Sequence, residues 1–572
     1  MNEYNNLLEL KDWWLNNDDK WFNSSELNDI EISKKYEYLL DVEYKLEILL
    51  DDKILGLSYI ILYDQITRHI ARAQNKSSNY ILNYLDKLLN FIDLFYPKFK
   101  NELEGWEFCF TLLPLRHTNI FYKQKFVMNE TWEKISNLNK ISNINQIDTK
   151  LVKIYKNYLE ATYKRANINE QVYICENKTE NINDILQLIN KYNNLLDEVC
   201  YNCLTKSDEN INSDNIILKI TKTCEQIKNK NIKYILSLSG GVDSMVMSFV
   251  LSKLGIDFVM VHINYANREE TCENEKKLLL DWANYIGHKL YIRDIYEINR
   301  QKCMKYEMRN LYESYTRDVR YQSYIDISRL NGWENYEWSV LMGHNHDDCI
   351  ENILTNIANK TKYDNLMGMS FESGVIFREK QIKFTRPLIT IPKSDIYHLA
   401  HNFKIPYLVD STPKWSQRGL IRDIVRPALV QWNNLILEGI VELNTIMKES
   451  MECVDLLVSR WLDELKPFET LEVKEIVRIP SLTILNKKPK YGIIKISIAE
   501  ISDNKIFWSR LFDKLNIPTS SKILDELISR FRNVKKKFSF IQNRQLNQIQ
   551  INKNNKLYYW KISDNKIIIA LD

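Results

Sequence analysis

A short segment that joins two glycines to two serines most strongly constrains what this chain can fold into. Residues 239–244 read Ser-Gly-Gly-Val-Asp-Ser, after the apolar run 234–238 and at the start of the helix-like run 243–251. A strand, a glycine turn and a helix start in this order let backbone N–H groups and the positive end of the helix dipole face an anion. The segment therefore predicts a phosphate-binding turn. It is not of the Walker type, because no Lys-Ser or Lys-Thr pair closes it.

The residues around this turn alternate between strand-like and helix-like patterns. We predict strands at 233–238, 257–264, 289–293 and 338–343, and helices at 243–254, 272–286, 305–329 and 347–359. This alternation is typical of a doubly wound parallel sheet, in which ligands bind beyond the carboxyl ends of the strands. We therefore predict an α/β doubly wound parallel sheet with an all-α N-terminal domain and a small α+β C-terminal region.

Shifts in composition and periodicity divide the chain into regions. We predict an all-helical domain at 1–170, an Asn-rich linker or helix at 171–230, the α/β domain at 231–433 and a C-terminal appendage at 434–572. Lys and Arg number 78 against 75 Asp and Glu, so any nucleic-acid surface must be local. Nine cysteines without a disulfide-like framework, and no apolar stretch of membrane-spanning length, favour a reducing, cytoplasmic setting.

An acidic cluster follows the last predicted strand of the α/β region. Gly343 and His344 end that strand, and Asp347, Asp348 and Glu351 enter the next helix. Carboxylates beside a triphosphate site are suited to binding magnesium. The same residues are also typical of a well-capped helix, since acidic side chains favour the positive end of the helix dipole.

Two further segments bring basic and polar residues to the same region. The second strand carries His262 and ends in Asn264-Tyr265, and a later basic stretch carries Arg418, Arg422 and Arg426. Arginines of this kind grip phosphates. An ordinary helix with charge pairs is the alternative interpretation.

Taken in order, these segments resemble the tRNA(Ile)-lysidine synthetase family of N-type, PP-loop ATP pyrophosphatases, whose fold is adenine nucleotide α-hydrolase-like. The resemblance covers about 230–430 and continues weakly towards the C-terminus. It implies a ligase that adenylates the C2 carbonyl of the wobble cytidine in a CAU-anticodon tRNA(Ile) and joins lysine to it. ATP, Mg²⁺, tRNA and free lysine are the implied cofactors and partners. The oligomeric state stays open, with a homodimer among the alternatives.

The resemblance also implies roles for individual residues. The implied catalytic residues are Asp243, Asp347, Asp348, Glu351 and Arg320. The implied ATP contacts are Ser239, Gly240, Gly241, Val242, Asp243, Ser244, His262, Gly343 and His344. The implied tRNA contacts are Arg418, Arg422, Arg426, Lys535, Lys536 and Lys537, and the implied magnesium ligands are Asp243 and Asp347. Asn264-Tyr265 replaces the family's usual Asp-His, which leaves the choice of lysine as nucleophile most open.

The N-terminal region carries a separate resemblance. Residues 63–73 read Tyr-Asp-Gln-Ile-Thr-Arg-His-Ile-Ala-Arg-Ala, and this segment resembles one in an uncharacterised, all-helical, TPR-like bacterial family. Asp64, Gln65, Arg68 and His117 are candidates for a polar pocket. Buried contacts between helices are the alternative interpretation.

Two other functions use the same motifs. A PP-loop tRNA sulfurtransferase activates its substrate by the same adenylation and uses paired cysteines for a metal or cluster. Cys200 and Cys203 form one such pair, and Cys349 lies inside the acidic cluster, but one pair is too few for a four-cysteine site. A non-catalytic tRNA-binding protein is the other alternative.

Overall fold

The computed structural model describes most of the chain in two units. The described residues are 2–21, 25–141, 149–174, 184–193, 213–228, 231–267, 269–359, 368–408, 416–466, 490–537, 547–563 and 565–572. One unit comprises Met1–Gly343 with Phe371–Asp410, and the other comprises His344–Ser370 with Ser411–Asp572. This division cuts across the predicted region 231–433, and the predicted domain boundaries stay a prediction. No helix within the described ranges is both long and apolar enough to cross a membrane.

The first unit begins with packed helices. They span Asn2–Asn16, Glu26–Tyr36, Leu46–Asp51, Lys53–Ile61, Thr67–Ala73, Ser78–Phe99, Gly105–His117, Phe121–Ile141 and Thr149–Arg165. Short 3₁₀ turns occupy Asp18–Lys20 and Glu37–Asp41, and a π-helical turn occupies Leu62–Ile66. Apolar residues at helical spacing, such as Leu85, Leu88 and Ile92, are buried on one face of Ser78–Phe99. The prediction of an all-helical N-terminal region is confirmed.

A seven-stranded sheet forms the centre of the α/β part of the same unit. Its strands are β1 (Tyr173–Ile174), β2 (Lys233–Ser237), β3 (Phe258–Asn264), β4 (Leu290–Asp294), β5 (Trp338–Leu341), β6 (Glu372–Phe377) and β7 (Lys380–Thr385). Their order is β1-β4-β3-β2-β5-β7-β6. The inner strands β4, β3, β2, β5 and β7 are parallel, whereas β1 and β6 are antiparallel edge strands. The predicted doubly wound sheet is confirmed, and the two antiparallel edges are additional to it.

Helices cover the sheet as the alternating pattern requires. They span Ile185–Lys191, Ser213–Glu225, Val242–Lys253, Glu269–Ile286, Arg300–Lys305, Arg309–Leu330 and Lys393–Asn402. The prediction of a single helix at 305–329 is wrong in one respect, because the helical conformation is interrupted between the helices Arg300–Lys305 and Arg309–Leu330. Glu307 has a φ of 59° there, a left-handed conformation that a continuous helix does not contain.

The N-terminal helices and the sheet share one hydrophobic cluster. Tyr163, from the last N-terminal helix, donates its hydroxyl to the backbone carbonyl of Glu297 at 2.6 Å. Trp132 donates its indole N–H to the Tyr163 hydroxyl at 2.9 Å. Buried residues of both parts, from Leu7 to Phe384, belong to the same cluster. The helical region is therefore packed onto the α/β region.

The second unit combines helices with a small sheet. Its helices span His346–Ala358, Gln417–Leu420, Arg426–Trp432, Ile436–Asp463, Lys505–Lys514 and Ser521–Lys536, with a π-helical turn at Ile421–Val425 and a 3₁₀ turn at Ile498–Glu500. Strands β8 (Gly492–Ser497), β9 (Asn547–Gln550), β10 (Lys556–Ser563) and β11 (Lys566–Leu571) form an antiparallel sheet in the order β8-β11-β10-β9. Trp508 and Phe531 stack in its core with ring centroids 5.1 Å apart. The predicted α+β character of the C-terminal region is confirmed.

Candidate functional site

The glycine turn at 239–241 joins the carboxyl end of β2 to the helix Val242–Lys253. Gly240 has a φ of 85°, a conformation that residues with a side chain rarely adopt. Its carbonyl accepts a hydrogen bond from the backbone N–H of Leu408 at 2.9 Å. A Cβ at this position would also collide with the Leu408 side chain. Backbone conformation and close packing therefore both require glycine here.

Ser239 and Ser244 stabilise the turn through hydrogen bonds within it. The backbone N–H of Ser239 donates to Ser244 Oγ at 3.2 Å, and Ser244 Oγ donates to the carbonyl of Gly241 at 3.0 Å. The N–H of Gly241 lies 3.3 Å from Ser239 Oγ. Gly241 is the N-cap of the helix and has no side chain to occupy the first-turn N–H groups. The helix start is therefore built as an anion site.

Gly343, at the end of the neighbouring strand β5, lies directly against this helix start. A Cβ on Gly343 would be 3.1 Å from the backbone nitrogen of Ser244 and 3.2 Å from Asp243 Cβ. Contacts this short leave little room for a side chain. The parallel order of β2 and β5 thus brings two glycine-containing segments to the same edge of the sheet.

Asp243 lies in the first turn of the helix and forms an ion pair with Lys393. Lys393 begins the helix Lys393–Asn402, directly after Pro392. The two side chains are 19% and 29% exposed, so a ligand can still reach them. Lys393 is not among the residues predicted from the sequence. The signal that would have found it is a proline that starts a helix beyond a sheet strand, followed by a cation.

We expect Lys393→Gln to raise the KM for ATP about tenfold, because one charge-assisted hydrogen bond to a phosphate is lost. Steady-state pyrophosphate release at varied ATP concentration measures this. Lys404→Gln is a matched control, since Lys404 is an exposed lysine just beyond the same helix. An unchanged KM for ATP in Lys393→Gln would show that Lys393 does not contact the phosphates.

His262 is buried on β3 behind the turn. Its Nδ1 lies 3.0 Å from the carbonyl of Leu238, the residue that precedes the turn. Burial lowers the pKa of His262, and the hydrogen bond to Leu238 offsets this only in part. The imidazole is therefore neutral and donates to Leu238. This geometry favours a role in holding the turn, and a direct contact between His262 and ATP stays a prediction.

The residues that depart from the family pattern form their own contacts. Asn264 is buried, donates to Asp294 at 2.7 Å and accepts from the backbone N–H of Ala266 at 2.9 Å. Ala266 has a φ of 48°, so the chain turns sharply after β3. Asn264 therefore stabilises the turn at the carboxyl end of β3.

Arg320, the arginine predicted to be catalytic, lies on the helix Arg309–Leu330. Its guanidinium lies 5.8 Å from the ring centroid of Tyr321. One turn further on, Tyr324 donates to Ser237 Oγ at the end of β2, at 3.2 Å. The helix that carries Arg320 is thus anchored to the strand that leads into the glycine turn, and a catalytic role stays a prediction.

In the second unit, the acidic helix His346–Ala358 is capped by its own residues. Asn345 accepts from the backbone N–H of Asp348 at 3.1 Å, and Asp348 accepts from the backbone N–H of Asn345 at 3.0 Å. This reciprocal pair is a capping box. The structure therefore gives Asp348 a structural task, and its catalytic role stays a prediction.

The other two carboxylates of this helix are paired with arginines from the basic stretch. Glu351 is 2% exposed and receives Arg422 Nε at 2.8 Å and Nη2 at 3.2 Å. Asp347 forms an ion pair with Arg426. Arg422 and Arg426 therefore hold the acidic helix within this unit. Their predicted contacts with tRNA stay predictions.

The remaining basic candidates lie at the surface of the second unit. Arg418 is exposed at the start of the basic stretch. Lys535 lies 3.6 Å from Asp503, while Lys536 and Lys537 are exposed at the end of the helix Ser521–Lys536. The predicted contacts of Arg418 and of these lysines with tRNA stay predictions.

The positions of the cysteine thiols and of the candidate metal ligands bear on which metal the chain could bind. Among the described residues, no three His, Cys, Asp or Glu side chains converge to hold a metal ion by themselves. Cys349 is half-buried with its Sγ 3.9 Å from the carbonyl of Met369. Cys200 and Cys203 lie outside the described residues. A magnesium ion bound mainly through phosphate oxygens needs only one or two carboxylates, and Asp243 fits that requirement.

Comparisons with known proteins agree with this geometry. Residues 212–432 match the PP-loop domain family, and residues 10–172 match the family described as bacterial protein of unknown function (DUF924). The tRNA(Ile)-lysidine synthase of Mesoplasma florum is 27% identical over 320 residues, which cover 52% of this chain and 73% of that protein. The Malacoplasma penetrans protein of the same name is 24% identical over 201 residues, covering 35% of this chain and 62% of that one. The one from Chlamydia muridarum is 29% identical over 194 residues, covering 32% and 53%.

Two solved structures are more distantly similar to parts of this chain. The U34-tRNA thiolase NcsA from Methanococcus maripaludis is 18% identical with a TM-score of 0.33, covering 41% of this chain and 79% of that one. The NH3-dependent NAD synthetase from Campylobacter jejuni is 16% identical with a TM-score of 0.23, covering 42% and 97%. Both TM-scores are too low to indicate what this chain binds. Residues 212–432 are thus similar to the PP-loop domain family and include the segment that aligns with tRNA(Ile)-lysidine synthases, while residues 10–172 are similar to the DUF924 family.

Proposed function

We propose that this chain is an ATP-dependent tRNA(Ile)-lysidine synthase. It adenylates the C2 carbonyl oxygen of the wobble cytidine in a CAU-anticodon tRNA(Ile) and then joins free lysine to that carbon. The observation that carries the proposal is the 239–244 turn, at the carboxyl end of β2 in a segment that aligns with tRNA(Ile)-lysidine synthases.

The first step requires a bound triphosphate and an aligned nucleophile. The cytidine oxygen attacks the α-phosphorus of ATP, a new O–P bond forms, and the bond to the β-phosphate oxygen breaks to release pyrophosphate. First-turn N–H groups, the Ser239 hydroxyl and Lys393 bind the β- and γ-phosphates and stabilise the charge that develops on the leaving group. Asp243 would hold Mg²⁺, and the ion would neutralise phosphate charge.

The second step replaces AMP with lysine. The neutral ε-amine attacks C2, a C–N bond forms, and the C–O bond to AMP breaks as the amine loses its proton. The amine must be oriented near a carboxylate, and Asp347 and Glu351 are the candidates from the acidic helix. Arg426 and Arg422 position these two carboxylates through the ion pairs within the second unit.

The test incubates the full chain with ATP, lysine and an unmodified CAU-anticodon tRNA(Ile), followed by mass analysis of the nucleosides. A gain of one lysine residue at cytidine is the expected result. A matched tRNA with uridine at the wobble position is expected to stay unmodified. In a parallel reaction with sulfide added as the sulfur donor, a sulfur-for-oxygen exchange would identify a sulfurtransferase. Binding of tRNA without pyrophosphate release would identify a non-catalytic binder. Either outcome rejects the proposal.

The choice of nucleophile needs its own arm, because Asn264-Tyr265 departs from the family pattern. The same reaction is run with each of ornithine, arginine and lysine. We expect product only with lysine. A product with another amine and none with lysine would keep the adenylation step and overturn lysine as the nucleophile.

A further inference from the structure

The N-terminal helices enclose a cavity of about 250 Å³ that the proposed ligase reaction does not use. It is lined mainly by cationic and titratable side chains: Arg68, His69, Arg72, Arg116, His117 and Arg165. Beside it lies the π-helical turn Leu62–Ile66, which carries Asp64 and Gln65. Single π-helical turns are rare and occur frequently at functional sites.

Two buried carboxylates neutralise part of this positive charge. Asp64 binds Arg68 at 3.0 Å and His117 at 3.0 Å. Burial raises the pKa of the Asp64 carboxyl, but His117 and Arg68 outweigh it and hold that pKa well below its usual range. The carboxylate is therefore ionised, and it neutralises the Arg68 guanidinium. The predicted polar group of Asp64, Gln65, Arg68 and His117 thus consists of buried contacts that also border a cavity.

The second carboxylate acts in the same way. Asp29 binds His69 at 2.6 Å and Arg72 at 2.8 Å. Burial raises the pKa of Asp29, and hydrogen bonds from Arg72 and His69 reverse this and lower it below its ordinary value. Asp29 therefore neutralises Arg72.

Two guanidinium groups, on Arg116 and Arg165, remain after these pairings. Among the residues that the structure describes, neither forms an ion pair. Arg116 is only 9% exposed, and its Nε has no hydrogen-bond partner within the described ranges. Partial burial and the nearby charges of Arg116 and Arg68 lower the pKa of Arg165, and the charge of Asp64 offsets this only in part. Of the two, only Arg116 is buried; its guanidinium lies 5.0 Å from the ring centroid of Tyr158, and Arg165 is exposed. A buried cation without a counter-ion is costly, so the position of Arg116 calls for an anion.

We infer that this cavity binds a small molecule that carries a phosphate group. Two guanidinium forks match the charge of a phosphate monoester and the arrangement of its oxygens. The cavity volume lies below the range usual for drug-sized ligands, which favours a small phosphate monoester over a nucleotide. Leu113 and Trp21 supply an apolar part of the wall for its carbon atoms.

The test measures binding of inorganic phosphate and of glycerol 2-phosphate to the full chain by isothermal titration calorimetry. Arg165→Gln is expected to weaken binding of both about tenfold or more, because a charge-assisted contact is lost. Lys164→Gln is the matched control, since Lys164 is the exposed neighbour that does not line the cavity. Equal affinity in Arg165→Gln and the unaltered chain would overturn the inference.

Two further arms separate other sources of phosphate binding. The Arg165-dependent binding is expected to persist in Ser239→Ala, and its loss there would place the phosphate at the PP-loop and overturn the inference. Succinate is expected to bind more weakly than glycerol 2-phosphate. Tighter binding of succinate would also overturn the inference. So would displacement of phosphate by a single-stranded RNA oligonucleotide, if binding of that RNA depends on Arg165. Arg116→Gln, checked for an unchanged melting temperature, is expected to abolish binding.

Discussion

Asp243→Ala is expected to lower the rate of pyrophosphate release by about a hundred- to a thousandfold. The carboxylate lies in the first turn of the helix that follows the glycine turn and contacts Lys393. Its removal takes away the proposed magnesium ligand and leaves Lys393 without that partner. Both changes weaken the stabilisation of charge on the departing pyrophosphate. A coupled assay of pyrophosphate release with tRNA, lysine and ATP measures the effect.

Asp257→Ala is the control for this experiment. Asp257 is 82% exposed and lies just before β3, at the amino end of the strand. It is expected to leave the rate and the melting temperature unchanged. A pyrophosphate rate in Asp243→Ala within threefold of the control would remove Asp243 from the catalytic machinery. The double variant with Lys393→Gln is expected to cost less than the sum of the single effects, because the two side chains contact each other.

Glu297→Ala is expected to lower the free energy of unfolding by about 3–5 kcal/mol, the usual cost of leaving one partner of a buried ion pair alone. Arg293 and Glu297 are 3% and 2% exposed and form an ion pair at 2.5 Å. The Tyr315 hydroxyl donates to the same carboxylate at 2.9 Å. Urea unfolding followed by circular dichroism measures the loss.

Glu313→Ala is the matched control, because Glu313 and Arg309 form an ion pair of the same i, i+4 type in which both side chains are more than half exposed. It is expected to cost less than about 1 kcal/mol. Equal losses in the two variants would contradict a special role of the buried pair.

Local patterns predicted the PP-loop region well. The turn at 239–244 could be predicted because its glycines, the apolar run before it and the aspartate of the following helix lie within a few residues of one another. The parallel strands could be predicted for the same reason. The hairpin of β6 and β7 was missed because its outer strand is largely exposed and shows little hydrophobic alternation. The break at Glu307 was missed because a single left-handed residue leaves no clear mark on helical periodicity.

Contacts between residues far apart in the sequence could not be predicted from local patterns. Lys393 meets Asp243 across 150 positions of sequence, and Arg422 meets Glu351 across 71. Spacing alone cannot predict such pairs, because strand order and helix packing decide which side chains meet. For this reason the arginines expected to contact tRNA include two whose charges are paired with carboxylates.

The sequence by itself therefore determined the fold class, the helical N-terminal region and the position of the phosphate-binding turn, because each depends on neighbouring residues. Only the tertiary structure decided which charges are paired and which are left over. Asp64 and Asp29 neutralise Arg68 and Arg72, and packing of the N-terminal helices brings Arg116 and Arg165 together without an equivalent carboxylate among the described residues. Burial makes that difference matter for Arg116, which is 9% exposed, since a cation removed from water requires a counter-charge.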